Sequence, residues 1–275
     1  MVVGRLAPTP SGRLHLGNAL SFAAAWLSAR QGGGKVLLRI EDVDRTRARA
    51  ELEASIRDDL AWLGLMCDEE VLRQSERDYT LFVEALDTYR CTCTRRQLAE
   101  RPCTCGAVAH PAGALRWRRP SGSVRFVDRR FGPCHVDPSP HGDPVLIRRD
   151  GIATYLLAVV VDDLRDGVTE VVRGADLLEF TAIQIQLWRA LGATPPTWLH
   201  APLLVGSDGR KLSKSHASTE VAALRRAGVR PTQIWQMLLP LLGIEGHDQL
   251  ADAIGAFRCT GGSLGPTEID EARLW

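Results

Sequence analysis

The sequence predicts an α/β fold of the Rossmann-like type: a doubly wound parallel sheet with a small insertion and a short helical C-terminal segment. Three observations predict it. Strand and helix patterns alternate through residues 1–42, the stretch 91–150 is rich in cysteine, proline and arginine, and helical patterns follow residue 217. A strand–helix–strand unit of this length requires parallel strands, and a break in the alternation indicates an inserted module.

The first half of the sheet domain is predicted over residues 1–90. Residues 1–7 (MVVGRLA) have the pattern of a short buried strand, and Pro8, Pro10 and Gly12 oppose regular structure in the loop that follows. An Ala/Leu-rich helix is predicted at 17–30, and the glycines at 32–34 form the turn that ends it. A second strand follows at 36–42, and two amphipathic helices are predicted at 47–64 and 76–89.

The rest of the chain divides into three further segments. An insertion module is predicted over 91–150, with short strand patterns in GSVRFVD and PVLIRRD. The second half of the sheet domain is predicted over 151–215 and the helical C-terminal segment over 216–275. Within these two segments, regular α/β patterns lie at 153–163 and 168–178, a helix at 179–191, a strand in HAPLLVG, and helices in EVAALRRAG and PTQIWQMLLPLLG.

The composition is that of a globular protein. The chain has 275 residues, 45% of them hydrophobic, and 34 basic side chains against 33 acidic ones. This balance excludes wholesale disorder, and no apolar run approaches the roughly 18 residues that span a bilayer. The N-terminus lacks a basic region followed by a long apolar stretch, so we expect a cytoplasmic monomer without membrane contact.

The loop after the first predicted strand is a candidate ligand site. Ligands of open parallel sheets lie beyond the carboxyl ends of the strands, at helix N-termini. PTPSGRLHLGN has neither the G-x-G-x-x-G dinucleotide fingerprint nor a P-loop. A neutral His15 imidazole could donate to phosphate oxygens there, and Gly17 would let a nucleoside approach the backbone. A lone histidine at a helix start is, however, more often an ordinary surface residue.

Lysine is rare and clustered. The chain has three lysines, Lys35, Lys211 and Lys214, and two of them fall in the pentapeptide KLSKS. One interpretation is chance on a solvated loop. The other is that this loop needs compact ammonium groups for phosphate chemistry.

Four cysteines form a candidate metal site. Cys91 and Cys93 make one C-x-C pair, nine residues separate it from the next, and Cys103 and Cys105 make the second. Two close pairs supply the four soft ligands of tetrahedral zinc, with His110 as a nearby substitute. The alternative is a group of small buried hydrophobic residues. The surrounding Thr, Arg and Pro favour a structural zinc ion, and the other three cysteines are interpreted as core residues.

Two motifs far apart in the chain connect His15 with the clustered lysines. HLGN at 15–18 and KLSKS at 211–215 resemble the HIGH and KMSKS motifs of class I aminoacyl-tRNA synthetases. Several stretches resemble the glutamyl branch: RLAPTPSGRLHLGN, LLRIEDVDRTR, ATYLLAVVVDD and VTEVVRGADL. The resemblance covers about residues 4–215. Because residues 216–275 are too few for the anticodon-binding region of a full-length glutamyl enzyme, the chain resembles the truncated branch that loads glutamate onto the queuosine base of tRNA(Asp).

The resemblance implies which residues bind ATP. His15, Asn18, Lys211 and Lys214 match catalytic positions that contact ATP, and Gly17 belongs to the same site. The expected reaction gathers charge on phosphate oxygens, so positioned cations and donors supply most of the catalysis. Asn18 replaces the second histidine of HIGH and keeps a hydrogen-bonding amide.

The resemblance also implies a glutamate pocket. Arg5 and Arg173 are expected to bind the carboxylates, since arginine does so through paired hydrogen bonds, and Glu41 is expected to bind the ammonium group. Asp42, Asp44, Asp162 and Asp163 lie nearby in sequence but are equally explained as solvated loop carboxylates or helix caps. The other expected members of the pocket are Leu6, Ala7, Pro8, Thr9 and Tyr155.

The implied cofactors and partners are one structural Zn²⁺ per chain, Mg²⁺ with ATP, L-glutamate, and tRNA(Asp) containing queuosine. Zinc sites in similar proteins use a C-x-C pair, a tyrosine and a more distant cysteine. The matching tyrosine is absent here, which leaves the third and fourth ligands open. ALRWRRPSG at 114–122 fits either RNA phosphate contacts with a stacking Trp117 or a solvated edge strand.

Two alternative functions remain open. One is a truncated enzyme that charges a tRNA 3′ end with glutamate. The other is a non-catalytic, zinc-stabilised module that binds tRNA or an adenylate and acts as a regulator. A binding module has no need of the catalytic histidine, the two lysines and the full glutamate set.

Overall fold

A computed structural model describes residues 1–206, 219–258 and 266–269. Its first sheet is parallel and contains β1 (Val3–Leu6), β2 (Lys35–Leu38) and β3 (Glu69–Glu70), with β2 in the centre. Helix α1 (Leu16–Gln31) connects β1 to β2, so the predicted βαβ unit is confirmed. Its alanines are buried, which lets the helix approach the sheet closely.

The second sheet has the order β7-β6-β10-β9. Its strands are β6 (Val124–Asp128), β7 (Gly132–Val136), β9 (Glu170–Gly174) and β10 (Thr197–Ala201). β10 is parallel to both β6 and β9, whereas β7 pairs with β6 in an antiparallel hairpin. The backbone N–H of Thr169 donates to Val3 O at 3.0 Å, which places β1 beside β9 and joins the two sheets.

The insertion carries a separate antiparallel sheet in the order β4-β5-β8, built from Thr88–Cys91, Ala114–Trp117 and Val145–Ile147. β6 and β7 also fall within the predicted range 91–150, yet they extend the second sheet through β10. The alternating pattern of GSVRFVD identifies a strand but carries no information about its partner.

The predicted helix at 76–89 is wrong over most of its length. Only α3 (Thr80–Glu84) is α-helical there, and Thr88–Cys91 is a strand. At Thr88 and Tyr89, pairing with β5 overrides the local helical pattern, a tertiary effect that periodicity does not report. The other helices of the described part of the chain are α2 (Ala50–Trp62), α4 (Arg95–Glu100), α5 (Tyr155–Arg165), α6 (Phe180–Ala190), α7 (Val221–Arg226) and α8 (Pro231–Leu238).

The C-terminal segment is only partly helical. After α7 and α8, the two-residue strand β12 (Thr267–Glu268) pairs in parallel with β11 (Leu204–Val205). α8 buries Ile234, Trp235 and Leu238 in the same hydrophobic core as the buried residues of α1. None of the helices described has the length and apolar character needed to cross a membrane.

Candidate active site

A cavity of about 530 Å³ opens beyond the carboxyl ends of β1 and β9. Leu6, expected in the glutamate pocket, is fully buried in the core and does not line the cavity. Lys211 and Lys214 lie outside the described residues. The other expected residues for glutamate and ATP all line this one cavity: Arg5, Ala7, Pro8, Thr9, His15, Gly17, Asn18, Glu41, Tyr155 and Arg173.

The HLGN loop forms the N-terminal end of α1. His15 is the N-cap residue, and its backbone N–H donates to Asn18 Oδ1 at 3.1 Å. A side chain at Gly17 would lie 3.0 Å from the His15 imidazole. Glycine at this position therefore leaves room for the ring beside the helix N-terminus, where the macrodipole favours negative charge.

The described residues on both sides of 207–218 lie at this loop. Leu203 and Leu204 line the cavity before the segment. After it, the N–H of Val221 donates to Leu14 O at 2.9 Å, and Glu220 Oε2 lies 3.8 Å from Arg13 Nε. The chain thus leaves the cavity wall and returns to the loop that carries His15.

Arg5 is held by the buried carboxylate of Asp163. Its Nε donates to Asp163 Oδ1 at 3.1 Å and its Nη1 to Val172 O at 3.1 Å. The same Oδ1 accepts from Arg39 Nη2 at 2.7 Å, and Arg39 Nη2 also lies 3.4 Å from Glu41 Oε1. Asp163 is neither a solvated loop carboxylate nor a helix cap, because it lies buried within α5.

The two buried carboxylates titrate in opposite directions. Burial opposes ionisation of Asp163, but the charges of Arg5 and Arg39 outweigh it and lower its pKa. Burial dominates at Glu41 and raises its pKa, with Arg39 and Arg5 opposing the shift. A cation that enters the cavity would therefore stabilise the ionised form of Glu41.

Arg173 is a buried cation without a direct counter-charge. Its guanidinium donates to four uncharged acceptors, and none of the ion pairs in the described part of the chain includes it. Burial lowers its pKa. Since a buried charge is costly unless it is paired, this group favours an anion in the cavity. The four acceptors are His200 Nε2 at 3.2 Å, Gln184 Oε1 at 2.6 Å, Leu177 O at 3.2 Å and Thr181 Oγ1 at 2.6 Å.

The other nearby acidic residues have structural contacts. Asp42 accepts from Ser75 N at 2.9 Å, and Asp44 accepts from Arg148 at 2.6 Å. Asp162, fully buried in α5, accepts from the Gln74 amide at 2.9 Å. Asp44, which is partly exposed, matches the expectation of a solvated loop carboxylate, whereas Asp42 lies in a loop but is buried.

A second cavity of about 270 Å³ adjoins the first. Thr9, Glu41 and Tyr155 line both cavities, and so does the exposed side chain of Arg47. The second cavity lies between the loop that follows β1 and Ala153, where the insertion rejoins the sheet domain. A second substrate could thus reach the Glu41 end of the first cavity.

The four predicted cysteines come together in the insertion. Their sulfur atoms all lie within 4.8 Å of one another, with Cys91–Cys103 and Cys93–Cys105 each at 3.6 Å. Tetrahedral Zn–S bonds of about 2.3 Å put sulfur atoms roughly 3.8 Å apart, so the four thiols fit a metal ion of this kind. His110 is not a member of the cluster.

Neighbouring groups hold the loops of the cluster and act on Cys105 in particular. The Thr92 backbone N–H is the main cause that lowers the pKa of Cys105 to about 6. Arg149 donates to Cys93 O at 2.9 Å, which ties the loop to the end of β8. Gly113, at φ +134°, passes so close to Cys91 that a side chain there would lie 2.6 Å from its carbonyl oxygen.

The ALRWRRPSG segment does not offer a stacking plane. Trp117 is 2% exposed and belongs to a hydrophobic core that it shares with α5 and α6. Arg116, Arg118 and Arg119 donate to backbone carbonyls of Asp143, Gly106 and Gly142. The strand is internal to the β4-β5-β8 sheet, so neither a stacking tryptophan nor a solvated edge describes it.

Comparisons with known proteins identify relatives of this chain. A family model described as tRNA synthetases class I (E and Q), catalytic domain, matches residues 1–112 and 94–260. A "Glutamyl-Q tRNA(Asp) synthetase" of Nitratidesulfovibrio vulgaris is 44% identical, covering 89% of this chain and 87% of the relative. One of the same name from Deinococcus radiodurans is 42% identical, covering 93% and 94%.

A solved structure shows the same fold. The crystal structure of the glutamate-tRNA synthetase from Elizabethkingia anophelis superposes with a TM-score of 0.82 at 24% identity. The match covers 99% of this chain and 69% of that one.

Proposed function

The chain belongs to the class I tRNA synthetases (E and Q), through their catalytic domain, and is a ligase; we propose that it activates L-glutamate with ATP without tRNA and transfers the glutamyl group to the queuosine base of tRNA(Asp). The observation that carries this proposal is the juxtaposition of Arg5, Glu41 and Arg173 with the HLGN loop around one cavity.

The charges of the cavity suit glutamate. Among the described residues, Arg173 has only uncharged direct partners, so a substrate carboxylate would supply its missing counter-charge. Arg5, held by Asp163, is the second cation, and Glu41 offers the ammonium group its partner. An amino acid with two carboxylates and one ammonium group thus meets two guanidinium groups and one carboxylate. Tyr155 and Thr9 complete the pocket by hydrogen bonds.

The first step forms glutamyl-adenylate. A glutamate carboxylate oxygen attacks the α-phosphorus of ATP, the bond to the β-phosphate oxygen breaks, and pyrophosphate leaves with the negative charge. His15, Asn18 and the N-terminus of α1 supply donors at the phosphates. Lys214 supplies the cation for the leaving pyrophosphate and Lys211 a further contact to ATP; in support, the described chain lines the cavity at Leu203 and Leu204 before their segment and contacts this loop at Val221 after it.

The second step transfers the glutamyl group. A hydroxyl of the queuosine base attacks the carbonyl carbon of the adenylate, its proton is released, and AMP departs. The smaller cavity supports this step, because it joins the first at Glu41 and Tyr155 and opens beside the exposed Arg47, a group suited to an RNA phosphate. The names of the related proteins support queuosine as the acceptor.

The metals have separate tasks. Zn²⁺ fits Cys91, Cys93, Cys103 and Cys105, which would staple β4 to the following loops as a closed, structural site. In the described part of the chain no acidic group forms a cage at the cavity, so Mg²⁺ would be held by the ATP phosphates.

ATP–pyrophosphate exchange in the absence of tRNA tests the activation step. We expect exchange that requires L-glutamate and is not supported by L-glutamine or L-aspartate. Exchange that appears only when tRNA is added would contradict tRNA-independent activation, and binding of ATP or tRNA without exchange would favour a regulatory module.

A further inference from the structure

Arg173 is oriented by a buried chain of residues that ends at a carboxylate outside the cavity. Its Nε donates to His200 Nε2 at 3.2 Å, and His200 Nδ1 lies 2.7 Å from Asp128 Oδ2. His200 and Asp128 are 0% and 1% exposed, and neither lines the cavity. They come from two neighbouring strands, β10 and β6, whereas Arg173 is on β9.

The tautomer of His200 follows from this geometry. A guanidinium Nε can only donate, so His200 Nε2 must carry a lone pair and the ring proton must be on Nδ1. That proton is donated to Asp128. Burial lowers the pKa of His200, which agrees with a neutral ring.

Asp128 supplies a negative charge near Arg173 without contacting the guanidinium directly. If a carboxylate contacted Arg173 directly, it would compete with a substrate carboxylate for the same N–H groups. An uncharged imidazole between the two charges satisfies Nε and leaves the guanidinium attractive to an anion. Trp198, whose ring lies 5.0 Å below the guanidinium, limits its movement further.

We propose that Asp128 and His200 are positioning residues for glutamate binding, in which Asp128 fixes the His200 tautomer and His200 fixes the orientation of Arg173. This inference rests on the proposed function, since it takes glutamate as the ligand of Arg173. Nothing in the sequence patterns singled out either residue.

Asp128→Asn is a selective test, because the two oxygens of Asp128 have different partners. Oδ1 accepts from the backbone N–H groups of Arg130 and Phe131, at 2.9 and 3.0 Å, and holds the β6–β7 turn. An asparagine can keep those bonds and place its NH₂ group at His200 Nδ1. The ring must then carry its proton on Nε2 and presents a donor to Arg173 instead of an acceptor.

The measurement is the KM for L-glutamate and for ATP in tRNA-free pyrophosphate exchange, with thermal unfolding of each variant. We expect Asp128→Asn and His200→Leu to raise the KM for glutamate about tenfold or more, with the KM for ATP changed less than about twofold. His200→Gln, which keeps an acceptor for Arg173, should stay near wild type in both, although it gives up the contact with Asp128. In a His200→Gln background, Asp128→Asn should have little further effect, since no tautomer remains to be reversed.

Glu170→Gln is the matched control. Glu170 is a buried carboxylate on the same strand as Arg173, but it pairs with Ser28 and Arg129, away from the cavity. We expect this variant to lower the melting temperature and leave both KM values unchanged.

The possible outcomes separate the two proposals. If the wild type shows no glutamate-dependent exchange, the proposed function fails and the positioning role fails with it. If the wild type is active and Asp128→Asn and His200→Leu leave the KM for glutamate unchanged, or raise both KM values equally, only the positioning role is overturned. If Asp128→Asn or His200→Leu does not fold, the remaining variants decide. The proposal is contradicted if His200→Gln raises the KM for glutamate tenfold, to the same extent as any other folded variant of His200 or Asp128.

Discussion

The guanidinium of Arg5 and the carboxylate of Asp163 form a buried ion pair, with Nε and Oδ1 3.1 Å apart. Asp163 also pairs with Arg39, the residue that follows β2. One carboxylate on α5 therefore holds two arginines, Arg5 on β1 and Arg39. The pair ties α5 to β1 of the first sheet, and Arg5 Nη1 also donates to Val172 O on β9 of the second sheet. Arg5 is thereby rigid before any ligand binds, which lowers the ordering cost of recognition.

Replacement of Asp163 by asparagine should destabilise the protein. The change leaves two buried guanidinium groups with less counter-charge, and breaking a buried pair costs about 3 kcal/mol or more in the free energy of unfolding. Urea denaturation at pH 7 measures the loss. Asp150→Asn, which breaks an exposed contact with Arg148, is the control and should change little. Equal stability of both variants would contradict the role of Asp163.

The Arg5–Asp163 pair also predicts how the free energy of unfolding changes at acidic pH. Because the folded-state pKa of Asp163 lies below its ordinary value of 3.8, its contribution is fully present above about pH 4 and is lost as the pH falls through the lowered pKa. We expect the difference in unfolding free energy between wild type and Asp163→Asn to shrink progressively below pH 4. A difference that stays constant down to pH 2 would show that ionisation of Asp163 is not its source.

The raised pKa of Glu41 predicts that glutamate binding depends on pH. Only the ionised carboxylate can pair with the substrate ammonium group, so the KM for glutamate should fall as the pH rises from 4.5 through the raised pKa. Glu41→Gln should have a higher KM and lose this dependence. The KM for ATP, measured in the same pyrophosphate-exchange series, is the internal control. Parallel pH profiles for the two substrates would exclude Glu41 as the ammonium partner.

The lysines of KLSKS offer a sharp comparison, because the chain has only one other lysine. Lys214→Ala should slow adenylate formation by about a hundredfold or more, since it removes a cation from the leaving pyrophosphate. Lys35→Ala removes an exposed lysine paired with Glu69 and should leave the rate unchanged. Single-turnover adenylate formation measures both. Similar rates for the two variants would overturn the assignment of Lys214.

The cysteine cluster should bind zinc as a structural ion. Elemental analysis of the purified protein should find about one zinc ion per chain, and Cys103→Ser should lose it together with thermal stability. Cys134→Ser, at a cysteine outside the cluster, is the matched control. A zinc-free wild type of equal stability would contradict a metal site.

Much of the candidate site follows from the sequence because loops after parallel strands share one edge of a sheet. The resemblance to the glutamyl branch implies that Arg5, Glu41 and Arg173 form one pocket near His15, and the alternation of strands and helices is consistent with such a meeting of separate elements. The cysteine spacing likewise predicts a cluster, since two short C-x-C turns need little supporting structure.

The supporting residues could not be predicted, for identifiable physical reasons. Asp163 sits in an apolar helix pattern, where a single carboxylate is indistinguishable from a cap. His200 and Asp128 are on strands whose pairing depends on long-range topology, and β6 lies within the stretch assigned to the insertion. The helix predicted at 76–89 fails for the same reason, since β4 is determined by its partner β5.

The most direct measurement is transfer of labelled L-glutamate to purified tRNA(Asp) with and without queuosine, beside tRNA(Glu). We predict label on queuosine-containing tRNA(Asp) alone, and after nuclease digestion we predict that the label stays with the fragment that contains queuosine and not with the 3′-terminal fragment. Label on tRNA(Glu), or on tRNA(Asp) regardless of queuosine, would contradict the proposed acceptor.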